Sequence, residues 1–347
     1  MTSNIDIDPP QGLRRLDPAL VPIARSLPVH GFRSDSLAAE RKSIEAGETK
    51  RAAETDETGV AIEHRRIVGP LGDALRLRVY RGGGDGPLPV VLYAHGGGFV
   101  SGSLDTDHAS CVELARDVGC AVVSVEYRLA PEHPCPAALD DVEAAFHDVL
   151  QHAEDLGLDR HRLAVMGRDA GAALVAGLVH RVFDANGPRI VLQILHHPML
   201  DCDETLSRSA FPRTPGLGGA AVGRGWAHYL GHTRASARSV PSYRSNLEGL
   251  PSAFVACAEV DPCRDEAIDY ATRLLRARVP TDLHVLSGTF HGFDSVAPDW
   301  EVSAGVRRLH AQVLARAFHA WSGYERSDGV GATGSDDPGS AASPRVV

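Results

Sequence analysis

The chain has 347 residues, with 43% hydrophobic and 23% charged residues, the balance of a soluble globular protein large enough for one big domain or one domain with an elaborate lid. Its net charge of −10, with no basic run interleaved with aromatics, excludes a broad nucleic-acid surface. No apolar run reaches the roughly 18 residues a membrane helix needs, so neither nucleic acid nor membrane is expected as a partner.

The start, MTSNIDIDPPQG, is polar and acidic and unlike a secretory signal. The 6 cysteines (111, 120, 135, 202, 257, 263) are scattered without C-x-x-C and read as reduced thiols, which points to the cytoplasm. Residues 1–60 alternate short helical patterns, PALVPIARSL and SLAAERKSIEAGETKRAAE, with Pro and Gly breaks. They are expected to form cap helices. From Ala61 the pattern changes. LRLRVY alternates like a half-buried strand, and PVVLYAHGGG is an apolar run as in a strand covered on both faces. DHASCVELARDVG is helical, AVVSVEY a strand, ALDDVEAAFHDVLQHAEDLG a helix. RLAVMG and AGAALVAGLVHRVF are a strand and a helix. IVLQILHHP, SAFVACAEV and TDLHVLSG are further strands; DEAIDYATRLLRAR and VSAGVRRLHAQVLARAF are helices. Such alternation predicts a mostly parallel α/β sheet with helices on both faces over 61–324. Residues 200–250 are rich in Gly, Pro, Ser and Arg and are read as an insertion that joins the N-terminal helices as a lid. Residues 325–347 lack large apolar side chains and are expected to be a disordered tail.

Sites in such sheets lie at the carboxyl ends of the strands. Four segments end there. His95-Gly96-Gly97-Gly98 presents bare amides able to hold a developing oxyanion. Gly167-Arg168-Asp169-Ala170-Gly171 is a tight strand-to-helix turn of the G-x-S-x-G form, with aspartate in the serine's place. Its apex is forced towards positive φ, which Asp and Asn tolerate better than most residues. Asp261 follows one strand and His291 the next, so the chain order is nucleophile, acid, histidine.

HGGGFVSGSLDTDH, VVSVEYRLAPEHPCPAALDD, AEVDPCRDEA and FHGF together resemble the hormone-sensitive-lipase-like branch of the α/β-hydrolases, over roughly residues 60 to 320. The resemblance implies an α/β-hydrolase fold with a helical cap and a Ser-His-Asp esterase site without cofactor or metal. Carried over, the oxyanion donors are Gly97, Gly98 and Ala170, the acid Asp261 and the base His291. The family's turn reads G-D-S-A-G, whereas this chain has Arg168 and Asp169 at the second and third places. A carboxylate attacking an ester forms a high-energy mixed anhydride, so ordinary carboxylesterase activity is expected to be very low. A carboxylate can instead open an epoxide or displace a halide at saturated carbon, leaving an alkyl ester. His291, held by Asp261, then activates water to cleave it. The sequence therefore points to an Asp169-His291-Asp261 hydrolase acting on a C–O bond of an apolar small molecule, an epoxide first. Epoxide opening also needs an acid, for which a lid residue such as Tyr229 or Tyr243 could serve; the sequence does not fix which.

Other readings stand beside this one. Asp169 is also a good helix N-cap, and a protein that binds a small molecule without turnover would accept it there. His291 acting alone as base would suit a lyase, cyclase or decarboxylase. Arg168 is expected to pair at the sheet–helix junction rather than anchor an anion. His196 and His197, adjacent on a strand, are expected to face opposite sides. His133, in a Pro-rich loop, reads as structural. LGGAAVGRG (Leu217 to Gly225) follows no expected strand and is a poor dinucleotide site.

Overall fold

A computed structural model describes residues 12–84 and 86–321. The expected tail over 325–347 and the first residues of the N-terminal segment lie outside them. Eight strands form one sheet: β1 (Ala61–Val68), β2 (Ala74–Arg81), β3 (Leu88–Ala94), β4 (Ala121–Val125), β5 (Leu158–Arg168), β6 (Gln193–His196), β7 (Ala253–Val260) and β8 (Thr281–Phe290). Their spatial order is β8-β7-β6-β5-β3-β4-β2-β1. The β1–β2 and β2–β4 pairs are antiparallel and the remainder parallel. This is the mostly parallel α/β-hydrolase sheet that the alternation and the resemblance imply.

The sheet's two faces are sorted by the two-residue period of a strand. In β3, Val90, Leu92 and Ala94 belong to one apolar layer, and Val91 and Tyr93 to the other. Helices α4 (Ala137–Gln151), α5 (Ala170–Asp184) and α8 (Arg264–Arg276) cover the first layer through Val142, Phe146, Leu174, Leu178 and Leu274. Helices α3 (His108–Val118) and α9 (Glu301–Trp321) cover the second through Val112, Leu114 and Leu314. Every residue of β3 and β4 is buried, whereas β1 at the sheet edge is mostly exposed or half-buried.

The N-terminal segment carries α1 (Val21–Ser26) and α2 (Leu37–Ala53), and residues 200–250 carry α6 (Leu206–Ala210) and α7 (Gly219–Leu230). The two segments meet. Val29 and His30 pair in parallel with Gly216 and Leu217, Arg224 Nη1 donates to Gly31 O at 2.7 Å, and His228 Nε2 bonds Phe32 O at 2.9 Å. Helix α2 has few apolar residues and is held largely by polar links. Arg41 donates from Nε to Val100 O (2.5 Å) and from Nη2 to Ala130 O (2.6 Å), and it pairs with Glu132 at 2.7 Å. The glycine-containing stretch read as an irregular insertion is in fact α7, and a two-residue strand precedes it. Burial of Val222, Trp226 and Tyr229 outweighs the helix cost of its glycines, about 1 kcal/mol each.

Candidate active site

The β5–α5 turn places Asp169 at φ 51°, ψ −119°, a conformation costing about 1–3 kcal/mol for a non-glycine residue. Close packing enforces it. A Cβ at Gly171 would collide with the carbonyls of Ala94 and His95 at the end of β3, so only glycine lets the two chains approach. Asp169 stands at the N-cap of α5, yet its side chain makes no capping bond. The carboxylate turns outward instead. Its Oδ2 accepts from Gly97 N at 2.8 Å and from Gly98 N at 2.7 Å. Gly97 has φ +119°, and a Cβ there would strike the carbonyl of Ser101, so glycine is what aims its amide at the turn. Ala170 opens α5 beside them, but its amide is not among those that bond Oδ2 in the described residues. Oδ1 of Asp169 is buried with no hydrogen-bond partner among the described residues and lies 3.7 Å from His291 Nε2.

His291 follows β8 directly. Its Nδ1 contacts both oxygens of the fully buried Asp261, at 3.1 and 3.0 Å. A carboxylate only accepts, so Nδ1 donates and Nε2 faces Asp169. Asp261 also accepts from Cys263 N at 2.8 Å and from His197 Nδ1 at 3.2 Å. Burial alone would raise the Asp261 pKa; the charges and hydrogen bonds of His291 and His197 hold it far below the usual carboxylate range. Burial alone would lower the His291 pKa. The charge and hydrogen bond of Asp261, with the charge of Asp169, outweigh that and raise it.

Behind the turn lies a second buried network. Arg168 points into the sheet–helix junction. It pairs with Asp294 at 2.7 Å and with Asp107 at 3.5 Å. Burial would depress the guanidinium, but the charges of Asp294 and Asp107 raise it further above its ordinary value. Asp294 also bonds His196 Nε2 at 3.1 Å, and His197 Nε2 lies 3.6 Å from its other oxygen. The expectation that His196 and His197 face opposite sides fails. Strand β6 ends at His196, and His197 takes φ 46°, which swings its ring to the same side. The rings lie 4.2 Å apart between centroids. Ligand atoms of His196, His197 and Asp294 fall within 4.8 Å of one another, as do those of His197, Asp261 and His291. Each of these carboxylates already meets a protein cation or ring N–H, Arg168 in the first group and His291 in the second.

The turn opens on a cleft of about 420 Å³ lined by Asp169, His291 and Gly97, with Phe32, Ile44 and Glu48 from the N-terminal segment and Leu217 from the insertion. The lid tyrosines expected to supply an acid are elsewhere. Tyr229 is buried against Phe99, stacked at 4.2 Å, and Tyr243 donates to Asp203 at 2.8 Å on the surface; neither lines the cleft. The reason is α7, whose apolar face turns Tyr229 into the core. His133 is exposed. Sequence reasoning passed over Asp107, Asp294 and Glu48. An arginine beside the turn's apex was a signal that acids such as Asp294, three residues after His291, must meet it.

No helix among the described residues is long and apolar enough to cross a membrane. A family model of the alpha/beta hydrolase fold matches residues 91–295. The chain is 41% identical over 209 residues to esterase LipI of Mycobacterium tuberculosis, covering 59% of this chain and 65% of LipI's length. It is 37% identical over 240 residues to carboxylesterase NlhH of the same species, covering 67% and 75%. Among solved structures it is similar to esterase LipW from Mycobacterium marinum, with TM-score 0.84 and 44% identity over 89% of this chain and 98% of that one. It is likewise similar to a bacterial heroin esterase, with TM-score 0.84 and 36% identity over 88% and 99%.

Proposed function

Since the chain belongs to the alpha/beta hydrolase fold family, we propose that it is a hydrolase in which Asp169 takes the attacking role and opens a C–O bond at saturated carbon, first of all in an epoxide of a small apolar molecule. One observation carries this reading: Oδ2 of Asp169 occupies the Gly97/Gly98 amides while Oδ1 is left without a hydrogen bond beside His291. In an esterase those amides receive the substrate's carbonyl oxygen. Here the position is filled by the protein's own carboxylate, which argues against acyl chemistry although the relatives are named esterases. For alkyl transfer the same placement is productive. Oδ1 attacks carbon, the ring C–O bond breaks, and the leaving oxygen takes a proton. The product is an alkyl ester of Asp169 whose carbonyl oxygen, Oδ2, already sits on two amides.

Hydrolysis of that ester follows from the other half of the site. His291 Nε2 takes a proton from water and the oxygen adds to Cγ of Asp169. The oxyanion forms on Oδ2 against Gly97 and Gly98, where removing one such donor typically costs about 10²–10³ in rate. Collapse expels the alcohol, which takes the proton back from His291. Esterification also removes the Asp169 charge, one of the charges that raise the His291 pKa. The first step therefore shifts His291 towards the neutral form that the second step needs. Phe32, Ile44, Leu217, Phe290 and Val296 give the cleft its apolar lining.

A single turnover in heavy-oxygen water with a panel of epoxides and haloalkanes, followed by digestion, tests the reading. Label in the peptide carrying Asp169 supports it. Turnover that survives Asp169→Asn transfers the chemistry to His291 as a base. Absence of turnover together with tight ligand binding leaves a binding protein.

A further inference from the structure

Epoxide opening needs a proton donor, and neither tyrosine expected to provide it reaches the cleft. Five titratable side chains that can gain or lose a proton near neutrality or below line it: His30, Glu48, Asp107, Asp169 and His291. Asp169 is the attacking group and His291 the base. Asp107 accepts from Gly96 N at 3.1 Å and lies 3.5 Å from the Arg168 guanidinium, so its oxygens are already engaged by the protein. His30 is pushed towards its neutral form by burial, against the charge of Glu40 at the start of α2. Glu48 remains. It sits in the fourth turn of α2, buried, on the side that faces the domain.

We propose that Glu48 is the acid that protonates the leaving oxygen of the substrate. The inference rests on the reading of Asp169 as nucleophile. Its geometry is set by Thr106. The Thr106 hydroxyl oxygen accepts from Ser103 N at 2.8 Å, and the hydroxyl donates to Glu48 Oε2 at 2.9 Å. Oε1 is thereby left to carry the proton. Thr49, the next residue, bonds Asp105 at 3.2 Å, and Arg41 clamps the preceding turns of the helix, so the acid is held over the cleft by the main domain. Burial, with the charges of Asp107 and Asp105, outweighs the Thr106 bond and the charge of Arg51 and lifts Glu48 from 4.5 to about 7, a range in which a carboxylic acid is still protonated in part at neutral pH. In the step itself Asp169 Oδ1 bonds to a ring carbon, the C–O bond breaks, and the oxygen takes the Oε1 proton. Glu48 is left as a carboxylate that recovers a proton from solvent.

A halide leaves as a stable anion and requires no proton, which gives the test its control. Alkylation of Asp169 is followed in the full chain by rapid acid quench in heavy-oxygen water and peptide mass, counting alkyl ester and labelled carboxyl at Asp169 together, with styrene oxide and with benzyl chloride, for the wild type and Glu48→Gln. Gln keeps the acceptor for Thr106 and removes the acid. The expected result is a fall of the epoxide-to-halide rate ratio by about 10²-fold, the usual scale of general acid catalysis. An unchanged ratio, or a wild type that accepts the halide but no epoxide, overturns the role of Glu48 alone. A wild type alkylated by neither reagent overturns the nucleophile reading and this inference with it.

Discussion

The amide of Gly98 donates to Oδ2 of Asp169 at 2.7 Å, so the loop after β3 and the apex of the β5–α5 turn are joined through a carboxylate. A serine in the same place would have no second oxygen to offer that amide. Asp169→Ser therefore vacates the anion pocket and restores an attacking hydroxyl beside His291. Hydrolysis of nitrophenyl esters should rise by about 10²-fold or more over the wild type, the scale of one recovered oxyanion contact. A wild type that already hydrolyses those esters as fast as the variant refutes the argument.

Asp169 also acts on His291 through charge. Its carboxylate and that of Asp261 raise the imidazole pKa against the opposing effect of burial. Asp169→Asn removes one of the two charges and keeps the side chain's shape and its acceptor. The His291 titration, followed by NMR of the ring protons, should move to lower pH in the variant. The same direction is expected for the alkylated enzyme. Breakdown of the ester should then gain rate with rising pH and level off at a lower pH than the His291 titration of the free protein.

Arg168 and Asp294 form a buried pair at 2.7 Å. Removing one partner leaves a charge in the interior, which costs about 3–5 kcal/mol. Arg168→Met should destabilise by that amount in urea unfolding at neutral pH, and adding Asp294→Asn should recover part of the loss. Burial alone would raise the pKa of Asp294, but Arg168 and His196 hold it well below the usual range. A depressed carboxylate stabilises fully above its unfolded pKa, about 4, and the contribution is lost as pH falls through the folded value. The deficit of Arg168→Met should accordingly narrow in acid.

Glu48 has the opposite sign. Its folded pKa, about 7, lies above the ordinary 4.5, so the fold favours the protonated form. That contribution is present below 4.5 and lost as pH rises through 7. Glu48→Gln should match the wild type near pH 4 and exceed it at pH 8. The difference is at most about 3 kcal/mol at 1.36 kcal/mol per unit. Thermal melts at the two pH values read it directly, and equal stabilities at pH 8 contradict it.

The strand–helix alternation from Leu75 onward was legible because buried parallel strands and amphipathic helices write their burial into the local pattern. Asp169, Asp261 and His291 were legible because each follows a strand at the sheet's carboxyl edge. Strand β1 was not, since Ala61–Val68 at an edge keeps its charged residues in solvent. Helix α7 was hidden by Gly219, Gly223 and Gly225, whose cost is offset by contacts with residues distant in sequence. His197 escaped because one positive φ reverses the direction that strand alternation assigns. Glu48 looks like one more charge on a solvated helix, and only its approach to Thr106 across 58 residues distinguishes it.

Arg41 ties α2 to the carbonyls of Val100 and Ala130, on the loops that follow β3 and β4, while the inner side of α2 faces the cleft. The N-terminal stretch thus carries part of the ligand surface and the proposed acid Glu48 on one rigid mounting, apart from the turn that holds Asp169. Exchange of residues 12–53 for the corresponding stretch of a relative that lacks an acid at position 48 should alter ligand preference and slow epoxide opening, while halide displacement by Asp169 persists.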